Sequence, residues 1–145
     1  FVQLVDISKT SLEIAQENLA GIKFVDDTKI VSTCADFINF NTDHRFDYVI
    51  LGEVLEHVDD PVHFLERIKS LLSTNGVAFL TTCTDAPSID HCFHYRHCDE
   101  VRSQFNSVGL KVISDLEISS VPDQDVAYCY ENRLTVNYCA LVGLS

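Results

Sequence analysis

Short apolar runs alternate with amphipathic segments along most of the chain. Runs rich in apolar and β-branched residues are typical of buried strands, and they occupy residues 1–5, 29–33, 46–51, 77–82, 110–118 and 133–142. Apolar residues at helical spacing lie between several of these runs. Strands that alternate with helices predict an α/β fold, with a doubly wound and mostly parallel sheet. The last two runs have no predicted helix between them, so we expect them to form an antiparallel pair.

Local capping signals place the first two helices. Thr10 and Glu13 have the spacing of a capping box, and Gly21 is placed to end the first helix. Asp60 can cap the second helix, because a proline follows it at the first helical position. The pair Asn75-Gly76 is expected to end that helix before the fourth strand begins.

Polar residues follow three of the predicted strands. Asp6 comes directly after the first strand, Asp36 lies just beyond the second, and Gly52-Glu53 ends the third. In open parallel sheets, ligands bind in the crevice beyond the carboxyl ends of the strands. We therefore expect these residues to meet at one edge of the sheet and to form a ligand site.

Composition narrows the class of protein. The chain has 145 residues, of which 46% are apolar, which suits a single domain across residues 1–145. No apolar run is long enough for a membrane span, which needs about 18 residues. The net charge of −12 argues against nucleic acid as a partner, because phosphates require clusters of Lys and Arg. Nothing in the composition indicates an oligomeric state.

The cysteines indicate a reducing compartment. The chain has six, none forms a C-x-x-C pair, and several lie inside apolar runs. This pattern is typical of buried, reduced thiols rather than of a disulfide framework. We therefore predict a cytoplasmic protein.

Longer motifs carry a family resemblance. They read VDIS…LEIAQENL, then CADF, then FDYVILGEVLEHVDDP…FLERIKSLLSTNGVAFLTT. This series resembles the class I S-adenosylmethionine-dependent methyltransferases, in particular their small-molecule branch of type 11/12. The resemblance covers residues 1–82 well and the rest loosely. It implies a Rossmann-like fold and methyl transfer from S-adenosylmethionine to an oxygen, nitrogen or carbon of a small-molecule acceptor.

The resemblance also implies roles for the residues after the strands. The acidic residue after the family's second strand binds the ribose hydroxyls, and the one after its third strand holds the adenine amino group. Residues just past the fourth strand flank the methionine part. The implied cofactor-binding residues are Asp6, Ile7, Asp36, Phe37, Leu51, Gly52 and Glu53. A carboxylate suits the ribose because it accepts hydrogen bonds from both hydroxyls.

The chain departs from the family pattern at its start. The family's first strand and its glycine-rich loop have no counterpart, and the sequence contains no methionine. We interpret it as a fragment in which Phe1 begins the family's second strand. The strands at 1–5 and 46–51 are then expected to pair with each other or to leave a gap. Cofactor binding by this chain alone is expected to be weak or absent, because those glycines let the cofactor approach the backbone.

Two alternatives to an active methyltransferase follow from the same observations. The missing glycine-rich loop favours a catalytically inactive methyltransferase fold that is kept as an interaction domain. A different dinucleotide-binding Rossmann enzyme is the other alternative. The Glu-x-x-Glu-His sequence at residues 53–57 and the antiparallel end of the sheet are evidence against that second alternative.

Glu53, Glu56 and His57 have the spacing of neighbours on one helical turn. His57 is the candidate general base or orienting residue for the acceptor. The pattern also resembles that of metal-dependent O-methyltransferases, which makes the three residues candidate ligands for a divalent metal. In the alternative reading no metal binds: Glu53 contacts the cofactor, Glu56 is solvated and His57 is a packed residue that shapes the pocket.

The loop after the fourth strand is rich in possible metal ligands. They are His91, Cys92, His94, His97 and Cys98. Their spacing matches no standard structural zinc site, so a loop on the acceptor side is the preferred interpretation. If a metal sits on the Glu-x-x-Glu-His residues, His91 or His94 is the expected fourth ligand.

Overall fold

The computed structural model describes residues 1–22 and 28–145. These residues form two compact units, Phe1–Asp43 and His44–Ser145. The prediction of a single domain across residues 1–145 stays a prediction. No helix in the described ranges has the length and apolar character needed to cross a bilayer.

The first unit is a β-α-β element. Strand β1 (Val2–Asp6) is followed by helix α1 (Lys9–Ala20) and strand β2 (Ile30–Cys34). The two strands pair in parallel, with Asp6 opposite Cys34 at their carboxyl ends. This arrangement confirms the predicted first unit.

The cap of α1 corrects one detail of the prediction. Ser8, and not Thr10, is the N-cap residue, and its side chain accepts a hydrogen bond from the Ser11 amide. Asp6 accepts a hydrogen bond from the Ser8 amide at 2.7 Å, which fixes the turn from β1. The helix therefore starts before the Thr10–Glu13 pair can act as a capping box.

The second unit holds a four-stranded sheet in the order β3-β4-β6-β5. Strands β3 and β4 are parallel, whereas β6 runs antiparallel to both β4 and β5. The elements are β3 (Phe46–Gly52), a 3-10 turn (Leu55–His57), α2 (Pro61–Leu71), β4 (Leu72–Thr84), α3 (Cys98–Val108), β5 (Leu110–Ser119), α4 (Val126–Asn132) and β6 (Val136–Leu144). The predicted α/β class and the antiparallel final strands are confirmed.

The core of this unit lies on one face of the sheet. Ala78 and Ala140 on the central strands are buried, as are Leu65 of α2 and Phe105 of α3. Side chains alternate between the faces of a strand, so Ile50 and its neighbours belong to the opposite face. On that face Tyr48, Ile50 and Phe79 are exposed.

Helix α2 begins as predicted and ends earlier than predicted. Asp60 caps it by accepting a hydrogen bond from the His63 amide, and Pro61 is its first residue. The helix ends at Leu71, and the pair Asn75-Gly76 lies inside β4. Gly76 lets the backbone of β4 come close to that of β3, because an added Cβ would lie only 2.6 Å from the carbonyl oxygen of Phe46.

The prediction of no helix between the last two strands is wrong. Helix α4 (Val126–Asn132) lies between β5 and β6, although the two strands do pair antiparallel. The helix has seven residues, and only Cys129 is buried, so it has no apolar stripe to detect. It ends at Arg133 with a left-handed backbone, where a glycine would be the usual signal.

Strands β1 and β3 do not pair. Among the described residues, β1 pairs only with β2, and β3 pairs only with β4. Of the two outcomes expected for these strands, direct pairing is therefore not observed.

Candidate active site

The carboxyl end of β3 turns sharply at Glu53. This residue has a φ of 51°, a left-handed conformation that few non-glycine residues adopt. Its amide donates to the carbonyl oxygen of Thr81 at 3.0 Å and faces the Thr81 hydroxyl at 3.1 Å. The backbone of Glu53 is thus fixed to β4, while Gly52 and Glu53 are exposed. Exposed residues at this strand end are available to a ligand.

Glu56 is buried, and the alternative in which it is solvated is wrong. Only 2% of its surface is exposed. Its carboxylate accepts a hydrogen bond from the Thr82 hydroxyl at 2.7 Å. Its backbone carbonyl accepts hydrogen bonds from the amides of Cys92 and Phe93, at 2.8 and 3.0 Å. The turn after β3 is therefore attached to both β4 and the loop that follows β4.

His57 lies beside Asp90. The His57 Nδ1 atom is 3.0 Å from the backbone carbonyl oxygen of Asp90 and 3.6 Å from its carboxylate. A carbonyl oxygen only accepts, so in this hydrogen bond Nδ1 carries the proton and the Nε2 of neutral His57 is free to accept one. Nε2 lies 4.0 Å from a Glu56 carboxylate oxygen. This tautomer leaves His57 in the form that a general base requires.

The pKa of the Asp90 carboxyl lies below its ordinary value. A hydrogen bond from the Ser88 hydroxyl lowers the pKa of the Asp90 carboxyl, and its own backbone amide and His57 lower it further. The ring of His91 meets the ring of His57 edge-on, with centroids 4.7 Å apart. The loop after β4 thus presents a carboxylate and a second imidazole to His57.

The structure groups the possible metal ligands differently from the prediction. Within the described ranges, Glu56, Cys83 and His91 have ligand atoms within 4.8 Å of one another, and so do His57, Asp90 and His91. Glu53 belongs to neither group, so the Glu-x-x-Glu-His residues do not converge on one point. Burial, with the nearby carboxylates of Glu56 and Glu53, raises the pKa of the Cys83 thiol to about 12.

Asp6 and Asp36 lie at the same edge of the β1/β2 pair. One carboxylate oxygen of Asp6 accepts the Ser8 amide. Both oxygens of Asp36 are engaged within its own turn, by the Ile38 amide at 3.1 Å and the Asn39 side chain at 2.6 Å. Of the residues beside them, Ile7 is 78% exposed and Phe37 is half-buried.

Sequence reasoning missed two residues of this site. Cys83 lies in the buried part of β4, and Asp90 lies in an irregular loop. Neither belongs to a spaced motif, and only the fold brings them to Glu56 and His57. The one available signal was Asp90-His91, a carboxylate next to an imidazole in a loop after a strand.

Comparison with known proteins identifies the family. The family model described as "Methyltransferase domain" matches residues 1–78, which is more than half of the chain. The chain is 37% identical over 51 residues to the mitochondrial ubiquinone biosynthesis O-methyltransferase of Dictyostelium discoideum, with 35% of this chain and 16% of that protein covered. It is 32% identical over 85 residues to the ubiquinone biosynthesis O-methyltransferase of Actinobacillus pleuropneumoniae, with 54% of this chain and 34% of that protein covered.

A solved structure shares the fold. The N-methyltransferase NodS from Bradyrhizobium japonicum, in complex with S-adenosylhomocysteine, matches 96% of this chain with a TM-score of 0.68. The match covers 65% of that protein, and the sequences are 14% identical. The chain spans about a third or less of the curated relatives it matches. The chain belongs to the methyltransferase domain family and has the Rossmann-like fold of the class I S-adenosylmethionine-dependent enzymes.

Proposed function

We propose that this protein transfers a methyl group from S-adenosylmethionine to a small-molecule acceptor. The family match across residues 1–78 is the observation that carries the proposal. It spans the strand ends where the resemblance implies cofactor-binding residues. The O-methyltransferases among the curated relatives favour an acceptor oxygen. Six free cysteines support the cytoplasm as the compartment, and the net charge of −12 supports an acceptor other than nucleic acid.

In the proposed cofactor site, Asp6 receives the ribose hydroxyls with the carboxylate oxygen that does not bind Ser8. Ile7 lies next to it and offers an exposed apolar side chain. Asp36 and Phe37 take the adenine. For Asp36 this requires an exchange of its contact with the Asn39 side chain, which is solvent-exposed, for one with the adenine amino group.

The remaining cofactor contacts belong to the end of β3. Leu51, Gly52 and Glu53 would flank the methionine part of the cofactor. Gly52 is exposed there and presents its backbone without a side chain. The exposed Glu53 carboxylate suits a cationic group such as the methionine ammonium.

Methyl transfer is a direct displacement. The acceptor atom forms a bond to the methyl carbon, the carbon–sulfur bond breaks, and its electron pair stays on the sulfur of S-adenosylhomocysteine. The acceptor proton passes to a base, for which we propose Nε2 of His57. The Asp90 carbonyl and carboxylate hold the ring and stabilise the imidazolium that forms. The sulfonium is already a good electrophile, so alignment of the two reactants supplies most of the rate.

Cofactor binding tests the proposal directly. Equilibrium dialysis with radiolabelled S-adenosylmethionine measures even a weak dissociation constant, as expected for this chain. Asp6→Asn is expected to weaken binding about tenfold, because it removes a charge-assisted hydrogen bond. Asp43→Asn changes the same charge in an exposed loop and should leave binding unchanged. Binding that Asp6→Asn leaves unchanged would contradict the proposed cofactor site, and absence of binding to the unaltered chain would favour an inactive interaction domain.

A divalent metal is a second candidate component of the site, by resemblance to metal-dependent O-methyltransferases. Glu53, Glu56 and His57 do not fit it, because their ligand atoms do not converge. Of the two sets that do converge, Glu56, Cys83 and His91 is the more buried. Carboxylate, thiolate and imidazole suit Zn²⁺, and a metal held there would act as a Lewis acid on an acceptor oxygen.

Cobalt substitution tests this metal site. Thiolate ligation of Co²⁺ gives a charge-transfer band in the near ultraviolet, so titration with Co²⁺ reports on Cys83 itself. Cys83→Ser should abolish the band, and Cys34→Ser, at an exposed cysteine, should keep it. A protein that binds no Co²⁺, or whose band survives Cys83→Ser, would contradict the assignment.

A further inference from the structure

A concave feature of the second unit lies beside the carboxyl end of β4. It is a cleft of about 340 Å³, a volume at the lower end of the range for small-molecule sites. Its walls come from the loop after β4 and from the turn between α4 and β6. The lining residues are Asp85, Ala86, Pro87, His94, Tyr95, Arg96 and Arg133.

The cleft is built on fixed backbone. Thr84 and Tyr95 form a parallel bridge, and the Asp85 amide donates to the Tyr95 carbonyl oxygen at 2.8 Å. These bonds fold the loop back on itself and bring Arg96 next to Asp85. Tyr95 is 1% exposed, and its hydroxyl donates to the Gln104 side chain at 2.7 Å. The Tyr95 side chain is therefore held in place behind the cleft lining.

The charges in the cleft do not balance. Arg133 donates to the Asp85 carboxylate through both Nε and Nη2, so these two charges neutralise each other. Arg96 also lines the cleft, and its guanidinium has no hydrogen bond or ion pair anywhere in the described part of the chain. The chain has 10 Lys and Arg residues against 22 Asp and Glu. The unpaired Arg96 therefore makes the cleft locally positive, although the protein as a whole is acidic.

We propose that this cleft binds the carboxylate of the methyl acceptor, with Arg96 as its partner. A guanidinium offers two parallel N–H donors that match the two oxygens of a carboxylate. One uncompensated positive charge matches a monoanion, whereas a phosphate dianion would leave excess negative charge in an acidic protein. Ala86 and Pro87 supply apolar contact for the rest of the ligand. The proposal rests on the proposed function, because it names the class of acceptor.

Binding of three matched probes tests the cleft without any methyl transfer. Benzoate, benzamide and phenyl phosphate share a ring and differ in charge. Amide chemical shifts of the labelled protein, followed during titration at pH 7, give each dissociation constant and the residues affected. We expect benzoate to bind at least about tenfold more tightly than benzamide, and more tightly than phenyl phosphate, with shifts in the cleft residues.

Matched variants assign the effect to one side chain. Arg96→Gln should remove the preference for benzoate, and Arg96→Lys should keep part of it, since lysine retains the charge without the planar fork. Arg45→Gln is the matched control. It removes the same charge from an exposed residue just before β3 that does not line the cleft, so this variant should bind benzoate like the unaltered protein. Arg96 is exposed and unpaired, so its substitution should leave thermal unfolding unchanged.

Each other outcome overturns the inference. No benzoate binding, equal binding of benzoate and benzamide, tighter binding of phenyl phosphate, or a preference that survives Arg96→Gln would all do so. The proposed function is judged separately by cofactor binding. Benzoate binding at the cleft without any S-adenosylmethionine binding would favour the inactive interaction domain and leave the anion site intact.

Discussion

At the scale of single residues, the buried carboxylate of Glu56 determines how the site is held. A buried charge is costly unless it is hydrogen-bonded, and the Thr82 hydroxyl donates to it from β4. The same residue accepts two amides of the loop that carries Asp90 and His91. Glu56 therefore has a structural role whether or not it binds a metal.

Thr82→Val tests this role. The substitution keeps the shape of the side chain and leaves a buried carboxylate oxygen without its donor, so we expect the protein to lose about 1–3 kcal/mol of unfolding free energy. Urea unfolding measures the loss. Thr74→Val makes the same change at an exposed position and should have little effect. Equal stability of the two variants would show that the hydrogen bond does not support the turn.

Thiol reactivity should follow burial. Cys34 and Cys92 are exposed, whereas Cys83 and Cys98 are buried. Burial raises the pKa of Cys83 to about 12 and that of Cys98 to about 11, so at pH 8 both remain protonated and poorly nucleophilic. We expect iodoacetamide at pH 8 to modify the exposed pair first, as read by mass spectrometry. Early modification of Cys83 would contradict the described packing.

At the scale of elements, capping determines where α2 begins. The Asp60 side chain accepts from the His63 amide at 3.1 Å, and it precedes the proline that starts the helix. Asp60→Ala should cost about 1 kcal/mol of unfolding free energy. Asp59→Ala removes an adjacent exposed carboxylate and is expected to cost far less. A comparable loss in both variants would indicate a general charge effect instead of a cap.

The ends of elements also show the limits of sequence reasoning. Asp60-Pro61 and Gly109 are strong local signals, and both mark real helix boundaries. Asn75-Gly76 looks equally strong but lies inside β4, where the register with β3 shifts and the backbone of Gly76 comes close to Phe46. Helix α4 has no comparable signal at all. Strand positions were predictable because each strand carries a short run rich in apolar and β-branched residues.

The same distinction applies to the site. The sequence predicts which strand ends carry Asp6, Asp36 and Glu53, since those residues follow the strands directly. It does not predict that Glu56 turns inward, that Cys83 approaches Glu56 or that Asp90 approaches His57. Those contacts join residues far apart in sequence, and only tertiary packing determines them.

At the scale of the whole molecule, one arginine joins several elements of the second unit. Arg102 of α3 contacts Asp99 at 2.8 Å, Asp115 at 2.7 Å and Glu117 at 2.6 Å. Its guanidinium lies over the Tyr138 ring, 5.1 Å from the centroid, and the Tyr138 hydroxyl donates to Asp115. The network therefore connects a helix to both β5 and β6.

This network should make stability depend on pH. The hydrogen bond from Tyr138, together with Arg102, lowers the pKa of the Asp115 carboxyl. A carboxyl whose pKa is lower in the folded state stabilises the fold above its unfolded pKa of about 3.9, and this contribution is lost as the pH falls below it. Asp115→Asn should therefore cost about 1 kcal/mol at pH 7, discounted for partial exposure, and less at pH 3.

Chemical unfolding of both proteins at pH 7 and pH 3 measures that difference. Asp47→Asn is the matched control, since it alters an exposed carboxylate on β3 outside the network. A gap between the unaltered protein and Asp115→Asn that stays constant with pH would contradict the linkage.

The left-handed backbone of Glu53 affects which substitutions at this position engineering or evolution would favour. Glycine adopts that conformation without the steric cost that a Cβ brings, about 1 kcal/mol. Replacement of Glu53 by glycine should thus raise the melting temperature while it removes the carboxylate from the end of β3. A screen that selects only for thermal stability would favour this substitution, and a screen for methyl transfer would reject it if Glu53 has its proposed role at the cofactor. At this position, thermal stability and the proposed catalytic function therefore favour different residues.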